Sequence, residues 1–368
     1  MTAADDVLTW SAGGVPAATL PAQTPLEFSA TQHSGNLPTT VSQAVADAVA
    51  CLLKDGQLVR TSGGKVWREL LGFSTGMTQP RCRIFVPAVG SFDVIGAVSR
   101  FVWMMRGDEA TSSIAYYVPP AAHYSPDGIT LPGSNYGHRL RRSLPGVDQI
   151  DGVIARLRES PQTRQAGTVI WNPMDAVRET IDIPCAMGTL YHSRVDGLIA
   201  TTMMRSNKPL TLMPFNFFEF SMLGEVIAAE TATPFDSYRH WIAAMQLPEP
   251  EMSRAEALLA GNSYSIEMPV MPSDPAPLHQ IRQLCLTEEQ MRTASTVAEL
   301  HMTLAQAEDV LHPYWMALVK VLSVRWLDRH GKFERATRVI DALPEHFGAP
   351  LTTARARRMS ADADRAER

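Results

Sequence analysis

The sequence predicts an α+β protein, and three observations carry that prediction. Apolar residues recur at helical spacing over 41–53, 93–106, 147–159 and 217–230. Residues 168–172, 186–194 and 198–204 alternate like strands, the last two joined through a turn at Val195-Asp196-Gly197. The chain is 45% hydrophobic and 19% charged over 368 residues, a globular profile long enough to bury a large core. These strands agree with a mixed sheet without establishing one alone.

Composition also sets exclusions. A net charge of −5 gives no electrostatic reason for bulk nucleic-acid binding. No apolar run reaches the ~18 residues that a membrane span needs. The acidic start MTAADDVLTW lacks the basic-then-apolar layout of a signal peptide. The four cysteines, Cys51, Cys82, Cys185 and Cys285, show no CxxC spacing, so no metal site and no disulfide framework is indicated. The expectation is a reduced, cytoplasmic protein with neither nucleic acid nor membrane as a partner.

Taken in order, residues 1–40 are rich in Ala, Thr, Pro and Ser and read as a loosely packed arm. Val41 to Leu53 is the first helix, with Thr40 as its N-cap. The segment VRTSGGKVWREL places Gly63-Gly64 beside Arg60 and Thr61, which suits a phosphate cradle and equally a simple turn. Asp93 to Arg106 is a strongly apolar helix, and Val118 to Gly133 a Pro/Gly-rich loop. A helix over 147–159 ends at the turn Ser160-Pro161-Gln162-Thr163-Arg164, and Phe217 to Glu230 is a further helix. In FDSYRHW, Tyr238 and His240 fit an ordinary amphipathic helix. Past Met252 a Pro-rich connector, MPVMPSDPAP, precedes two helices over 287–329 with an apolar stripe broken near Pro313. The division is an arm at 1–40, a main domain at 41–252, a helical extension at 253–350 and a polar tail at 351–368, frayed by its composition.

Everything else is arranged around IPCAMGTLYHSRVDGLIATTMMRSNKPLTLMPFN, residues 183–216. A cysteine after proline opens a strand, an Arg-Ser pair ends the next strand, and Pro214-Phe215-Asn216 opens a helix. This order resembles the core of thymidylate synthase and the related pyrimidine hydroxymethylases. Further pieces agree with it: Trp103, Gly107 and Asp108 match part of the family's H-E-L-L-W-F-L-Q-G-D, Tyr136-Gly137 its V-Y-G-K-Q-W-R, and residues 168–172 its I-V-S-A-W-N strand. The resemblance covers about residues 45–250.

The resemblance implies a large mixed sheet with packed helices, a homodimer formed through the back of that sheet, and 5,10-methylenetetrahydrofolate as cofactor. It implies that Cys185 is the nucleophile and that Tyr136 belongs to the proton-abstraction network. Arg60, Arg205 and Ser206 would hold the phosphate of a pyrimidine nucleoside monophosphate, with Arg164 reaching in from the other subunit. Asn216 would read the base, and Tyr238 and His240 are the nearest matches to a sugar-binding H-x-Y motif. The chemistry is consistent with these residue types. A thiolate adding to C6 makes C5 nucleophilic, and a cation near the thiol favours the thiolate. An Arg fork beside a hydroxyl suits an oxyanion. The side-chain amide of Asn216 suits O4 and N3–H of uracil and, turned over, the matching edge of cytosine.

Departures from the pattern shape the expected product. Arg100 stands at the family's catalytic glutamate, Ser99 at its histidine, Ala186 at the histidine beside the nucleophile, and Lys208 at an aspartate that helps bind folate. Gln165 replaces the second arginine of the trans pair. The Pro/Gly-rich loop before Tyr136 carries no tryptophan, and the family's closing C-terminal tail is missing, so water rather than hydride is expected to meet the exocyclic methylene. The expectation is one-carbon transfer to C5 giving hydroxymethyl in preference to methyl, with Trp315 or Trp326 as substitute walls if methyl is made. The alternative is a nucleotide-binding homologue that has lost turnover and acts as a binding or assembly subunit.

Overall fold

The computed structural model describes residues 37–61 and 63–366, with side chains to residue 356; nearly all of the expected N-terminal arm lies outside these residues. Thr40 caps helix α1 (Val41–Asp55) as expected, its hydroxyl accepting from Gln43 N at 3.4 Å. The Gly-Gly segment is the turn of a hairpin between strands β1 (Gln57–Arg60) and β2 (Val66–Met77), where Gly64 supplies a φ of +75°. A short strand, β3 (Ile84–Val86), leads to helix α2 (Val94–Arg106). Asp93 caps α2 on Gly96 N at 3.0 Å, and Gly107 closes it in the left-handed conformation.

Helices α3 (Thr111–Ala115), α4 (Tyr136–Arg141) and α5 (Gln149–Glu159) follow, the last capped by Asp148. Then come β4 (Gly167–Val169), β5 (Ala186–Arg194), β6 (Gly197–Asn207), helix α6 (Met213–Glu230) and β7 (Phe235–Pro248). The main sheet runs β1-β2-β7-β6-β5-β4 and is antiparallel except between β6 and β7. A parallel pair needs a crossover, and α6 supplies it. Phenylalanine, methionine and leucine side chains cover α6 on every side, so it is buried all round, against the sheet, α1, α2 and α5.

Beyond the sheet, α7 (Met252–Ala260) and β8 (Tyr264–Ile266), which pairs with β3, lead into the extension. The Pro-rich connector carries no regular element among its described residues. The two helices expected over 287–329 are three: α8 (Pro277–Thr293), α9 (Val297–Val310) and α10 (Pro313–Arg329). Pro313 sits in the first turn of α10, where its missing N–H costs nothing. Helices α11 (Phe333–Asp341) and α12 (Glu345–Ala366) complete the extension, the latter carrying most of the polar tail. The fold is thus α+β: a six-stranded mixed sheet with packed helices and a helical C-terminal extension.

Candidate active site

Cys185 sits immediately ahead of β5, where the pairing with β6 slips between Ala186 and Gly188. Such a bulge re-aims the neighbouring side chain. Gly188 is required there, because a Cβ would run into the Thr168 carbonyl on β4. Across the ladder, Arg205 N donates to the Cys185 carbonyl at 2.8 Å. The Arg205 guanidinium then grips the approach to the cysteine. Its Nε donates to Pro184 O at 2.9 Å, Nη2 to Ile183 O at 3.0 Å, and Nη1 to Ser206 Oγ at 3.3 Å. Ser206 Oγ in turn donates to Cys185 Sγ at 3.8 Å. Cys185 is half-buried. Burial pushes the thiols of Cys51, Cys82 and Cys285 up, that of Cys285 to about 11, which makes them poor nucleophiles.

Tyr136 reaches the same point from α4. Its hydroxyl accepts from Ala186 N at 3.3 Å, and its ring stacks on Phe220 of α6 at 5.9 Å between centroids. Gly137 lets α4 lie directly on the backbone of Met104 in α2, a contact that no side chain would allow. Burial holds the Tyr136 phenol well above its usual range, and the nearby negative charges of Cys185 and Glu219 add to this. Asp182 ties the two loops together: its carboxylate accepts from Gly133 N at 2.8 Å, Ser134 N at 2.9 Å and the Ser134 hydroxyl. Asp182 was not singled out from the sequence. Its only signal is an acid just ahead of Ile-Pro-Cys.

Asn216, 8% exposed, lies in the first turn of α6 and donates from Nδ2 to Glu219 Oε1 at 2.8 Å. Glu219 is 5% exposed. Burial pushes its acid up, while the cation of Arg100 and the Asn216 bond pull the other way. Arg100 lies over the Phe215 ring, 5.3 Å from its centroid, and its Nε is buried with no partner among the described residues. Phe215 also packs against Phe92, with centroids 4.9 Å apart. Sequence reasoning missed Glu219, although an acid set among Phe217, Phe218 and Phe220, one turn after Asn216, is a signal in itself.

The remaining expected residues lie elsewhere. Arg60 ends β1 at the far edge of the sheet and is exposed, as is Arg164 in the turn after α5. Neither bonds to the Cys185 group among the described residues. Tyr238 and His240 belong to strand β7 and not to a helix, and both are fully buried. Their polar atoms engage one another, Tyr238 Oη with His240 Nδ1 at 2.7 Å, while His240 Nε2 meets Asn207 Nδ2 at 2.9 Å. Asn207 Oδ1 accepts from Lys208 N, which turns its amide nitrogen to the ring, so Nε2 accepts and the ring proton sits on Nδ1. This chain braces the strand that carries Arg205 and Ser206. Trp315 and Trp326 are buried within the helical extension, the latter donating to Ala294 O at 3.1 Å.

A cavity of about 780 Å³ opens between the end of α2, α4 and α8. Four of its five arginines are already committed: Arg106 and Arg292 to Glu288, Arg141 to Asp148 and to the Met105 carbonyl, and Arg142 to the Arg106 carbonyl. Its size therefore does not outweigh the chemistry gathered at Cys185.

A sequence model of the thymidylate synthase family matches residues 96–274. The chain is 23% identical to a deoxyuridylate hydroxymethyltransferase of Pseudomonas phage M6 over 343 residues, covering 82% of this chain and 96% of that protein. It is 34% identical to a thymidylate synthase of Bacillus atrophaeus and 29% identical to one of Bacillus phage phi3T, each over 145 residues and 38% of this chain. Those matches span 62% and 50% of the synthases' own lengths. The phage M6 match covers more of the chain than residues 1–252 supply, so it reaches into the helical extension. The family match over residues 96–274 and these relatives support the chain as a divergent member of the thymidylate synthase and pyrimidine nucleotide hydroxymethylase superfamily, and Cys185, Tyr136, Arg205 and Ser206 come together where β5 and β6 pair.

Proposed function

We propose that this protein transfers a one-carbon unit from a folate to C5 of a pyrimidine nucleoside monophosphate, giving a hydroxymethyl product through a covalent adduct of Cys185 with C6. The observation that carries the proposal is the linked set Arg205–Ser206–Cys185 facing Tyr136 and Asn216. The Cys185 thiolate forms the Sγ–C6 bond, and the C5–C6 π pair moves toward C5 and O4. Asn216 meets the base edge where that charge gathers, and Ser206 with one edge of Arg205 meets the phosphate. After C5 has taken the one-carbon unit it would give up its proton near Tyr136 as the folate amine leaves, and water would add to the exocyclic methylene as the Sγ–C6 bond breaks to restore the ring.

The folate, 5,10-methylenetetrahydrofolate in this reading, supplies the carbon at the oxidation level of formaldehyde. Half-buried Phe215 on Phe92, with exposed Leu212 three residues before it and the cation of Lys208, suits a flat ring bearing carboxylates. Hydroxymethyl is favoured because Trp315 and Trp326 are enclosed in the extension and offer no wall against water. The reach of the phage M6 match into that extension points the same way.

A homodimer completes the reading. Strand register sets Val169, Met203 and Trp241 in one row and Leu190, Thr201 and Arg239 in the next, on the face turned away from α6. Val169 is 61% exposed there, an apolar face that a second copy would cover. Arg164 acts on the partner's phosphate, and the four free thiols agree with work in the reducing cytoplasm.

The test is incubation of UMP, dUMP, CMP and dCMP with methylenetetrahydrofolate, following product mass and tritium release from C5. The expected product carries an added CH2O, and Cys185→Ser abolishes exchange while keeping nucleotide affinity within about tenfold. A product carrying only CH2, with dihydrofolate formed in equal amount, overturns hydroxymethylation. Exchange that persists in Cys185→Ser overturns the adduct.

A further inference from the structure

Glu219 is one of two carboxyls buried in α6, the other being Glu225, which pairs with Arg83, and a buried carboxyl needs partners. Its hydrogen bond comes from Asn216 Nδ2, and the cation of Arg100, contributed by α2, acts on it electrostatically from beyond ion-pair distance. An amide side chain presents oxygen and nitrogen in either order, and nothing in the amide itself chooses between them. A carboxylate accepts and does not donate, so it selects the order with nitrogen toward itself. The second N–H and the oxygen of Asn216 then meet the base in one fixed arrangement.

We propose that Glu219, balanced by the cation of Arg100, is the positioning residue that locks the Asn216 amide and makes the site take uracil over cytosine nucleotides. This rests on the assignment of Asn216 to the base. Uracil follows from the charge balance. An unbalanced carboxylate near the 4-position would attract the amino group of cytosine and oppose the negative charge that grows on O4 as a thiolate adds at C6. Arg100 cancels that charge without hydrogen bonding to the amide, so the orientation is kept and the penalty removed.

The titratable groups around Glu219 are few. Arg100 faces it from α2, Tyr136 from α4 and Tyr238 from β7, with Cys185 beyond Tyr136. Both tyrosines stay neutral, their phenols held well above the usual range by burial. Acid therefore acts on Glu219 itself, whose carboxyl burial pushes up. Once protonated it donates as well as accepts, the Asn216 amide is free to turn, and discrimination falls.

The experiment measures affinity for dUMP and dCMP, and C5 tritium release from each, across the pH range from about 5 to 8. Wild type is expected to favour dUMP by about tenfold or more, with the ratio falling as pH drops. Glu219→Gln keeps the shape but offers donor and acceptor equally. It is expected to lower the ratio by about tenfold and to make it independent of pH. Arg100→Gln, the second variant, is expected to shift the pH midpoint of discrimination upward by removing the cation, while Arg100→Lys restores it. An unchanged ratio and pH profile in Glu219→Gln, or an unmoved midpoint in Arg100→Gln, overturns the inference. If Asn216→Ala alters the ratio while Glu219→Gln does not, the assignment of the base to Asn216 stands and only the lock falls. If folded wild type binds neither nucleotide, the proposed function fails and the inference with it.

Discussion

At the scale of single residues, Arg205 has two duties. Its Nε and Nη2 hold the carbonyls of Pro184 and Ile183, and its Nη1 side leads through Ser206 toward the thiol. Truncation removes both. Arg205→Ala is expected to weaken nucleotide binding by roughly 2–4 kcal/mol, as for one side of a desolvated charge pair. The corresponding nucleoside should lose far less affinity, yet C5 exchange at saturating nucleotide should also slow, because the loop carrying Cys185 is no longer gripped. Arg205→Lys keeps the charge without the fork, so affinity should recover in part while exchange does not. Titration calorimetry with dUMP and deoxyuridine, set beside tritium release, separates the two duties. Equal losses for nucleotide and nucleoside would make Arg205 purely structural. Cys185, Arg205, Ser206 and Asn216 were all legible, since each stands at an element boundary that the chain itself marks. Asp182 was not, because its partner Ser134 lies on another loop, and Glu219 was passed over although its hydrogen-bond partner Asn216 is only three residues away.

Among the elements, β7 is where sequence pattern and structure part. FDSYRHW fits an amphipathic helix by local pattern, whereas Tyr238, His240 and Ile242 alternate inward along a buried strand. The pairing of β7 with both β2 and β6 overrides local propensity. The β1–β2 hairpin was missed for a related reason, since a Gly-Gly turn is shared by loops and hairpins alike. The burial of His240 has a measurable result. Desolvation lowers its pKa from the usual 6.5 to about 3, and Asn207 already donates to Nε2. The unfolded imidazole takes up a proton below about pH 6.5 while the folded one does not until about pH 3. Stability from this group is therefore complete above the unfolded value and is lost as pH falls, at about 1.4 kcal/mol per pH unit. Urea unfolding followed from pH 7 downward should show that slope, and His240→Gln should flatten it. An equal slope in the variant would assign acid sensitivity to other groups.

For the molecule as a whole, the apolar rows on the sheet's outer face and the exposed Arg164 make one prediction. Trp241→Glu should yield a monomer by light scattering, and that monomer should bind nucleotide more weakly because the partner's arginine is gone. Mixing Arg164→Ala with Cys185→Ser, each inactive alone, should restore C5 exchange, since a mixed dimer holds one site with both residues intact. Failure of restoration, with dimers formed, would remove Arg164 from the partner's site. The extension from α8 onward was read from sequence as helical, but α8 was largely missed because its buried side carries Gln280, Cys285 and Glu288 among its apolar residues.

The one parallel pairing in the sheet has a consequence for how the protein is made. Cys185, Arg205, Ser206 and Asn216 all leave the ribosome before β7, so the chemistry is synthesised in one short run. Strand β6, however, must wait for the whole of α6 before its second edge finds β7. During that interval a nascent chain displays the open edge of β6 together with a helix apolar on every side. Such a species seeks any other strand or greasy surface nearby. Translation that pauses between residues 208 and 235 would lengthen this exposure, and holdase chaperones would find their substrate in that window.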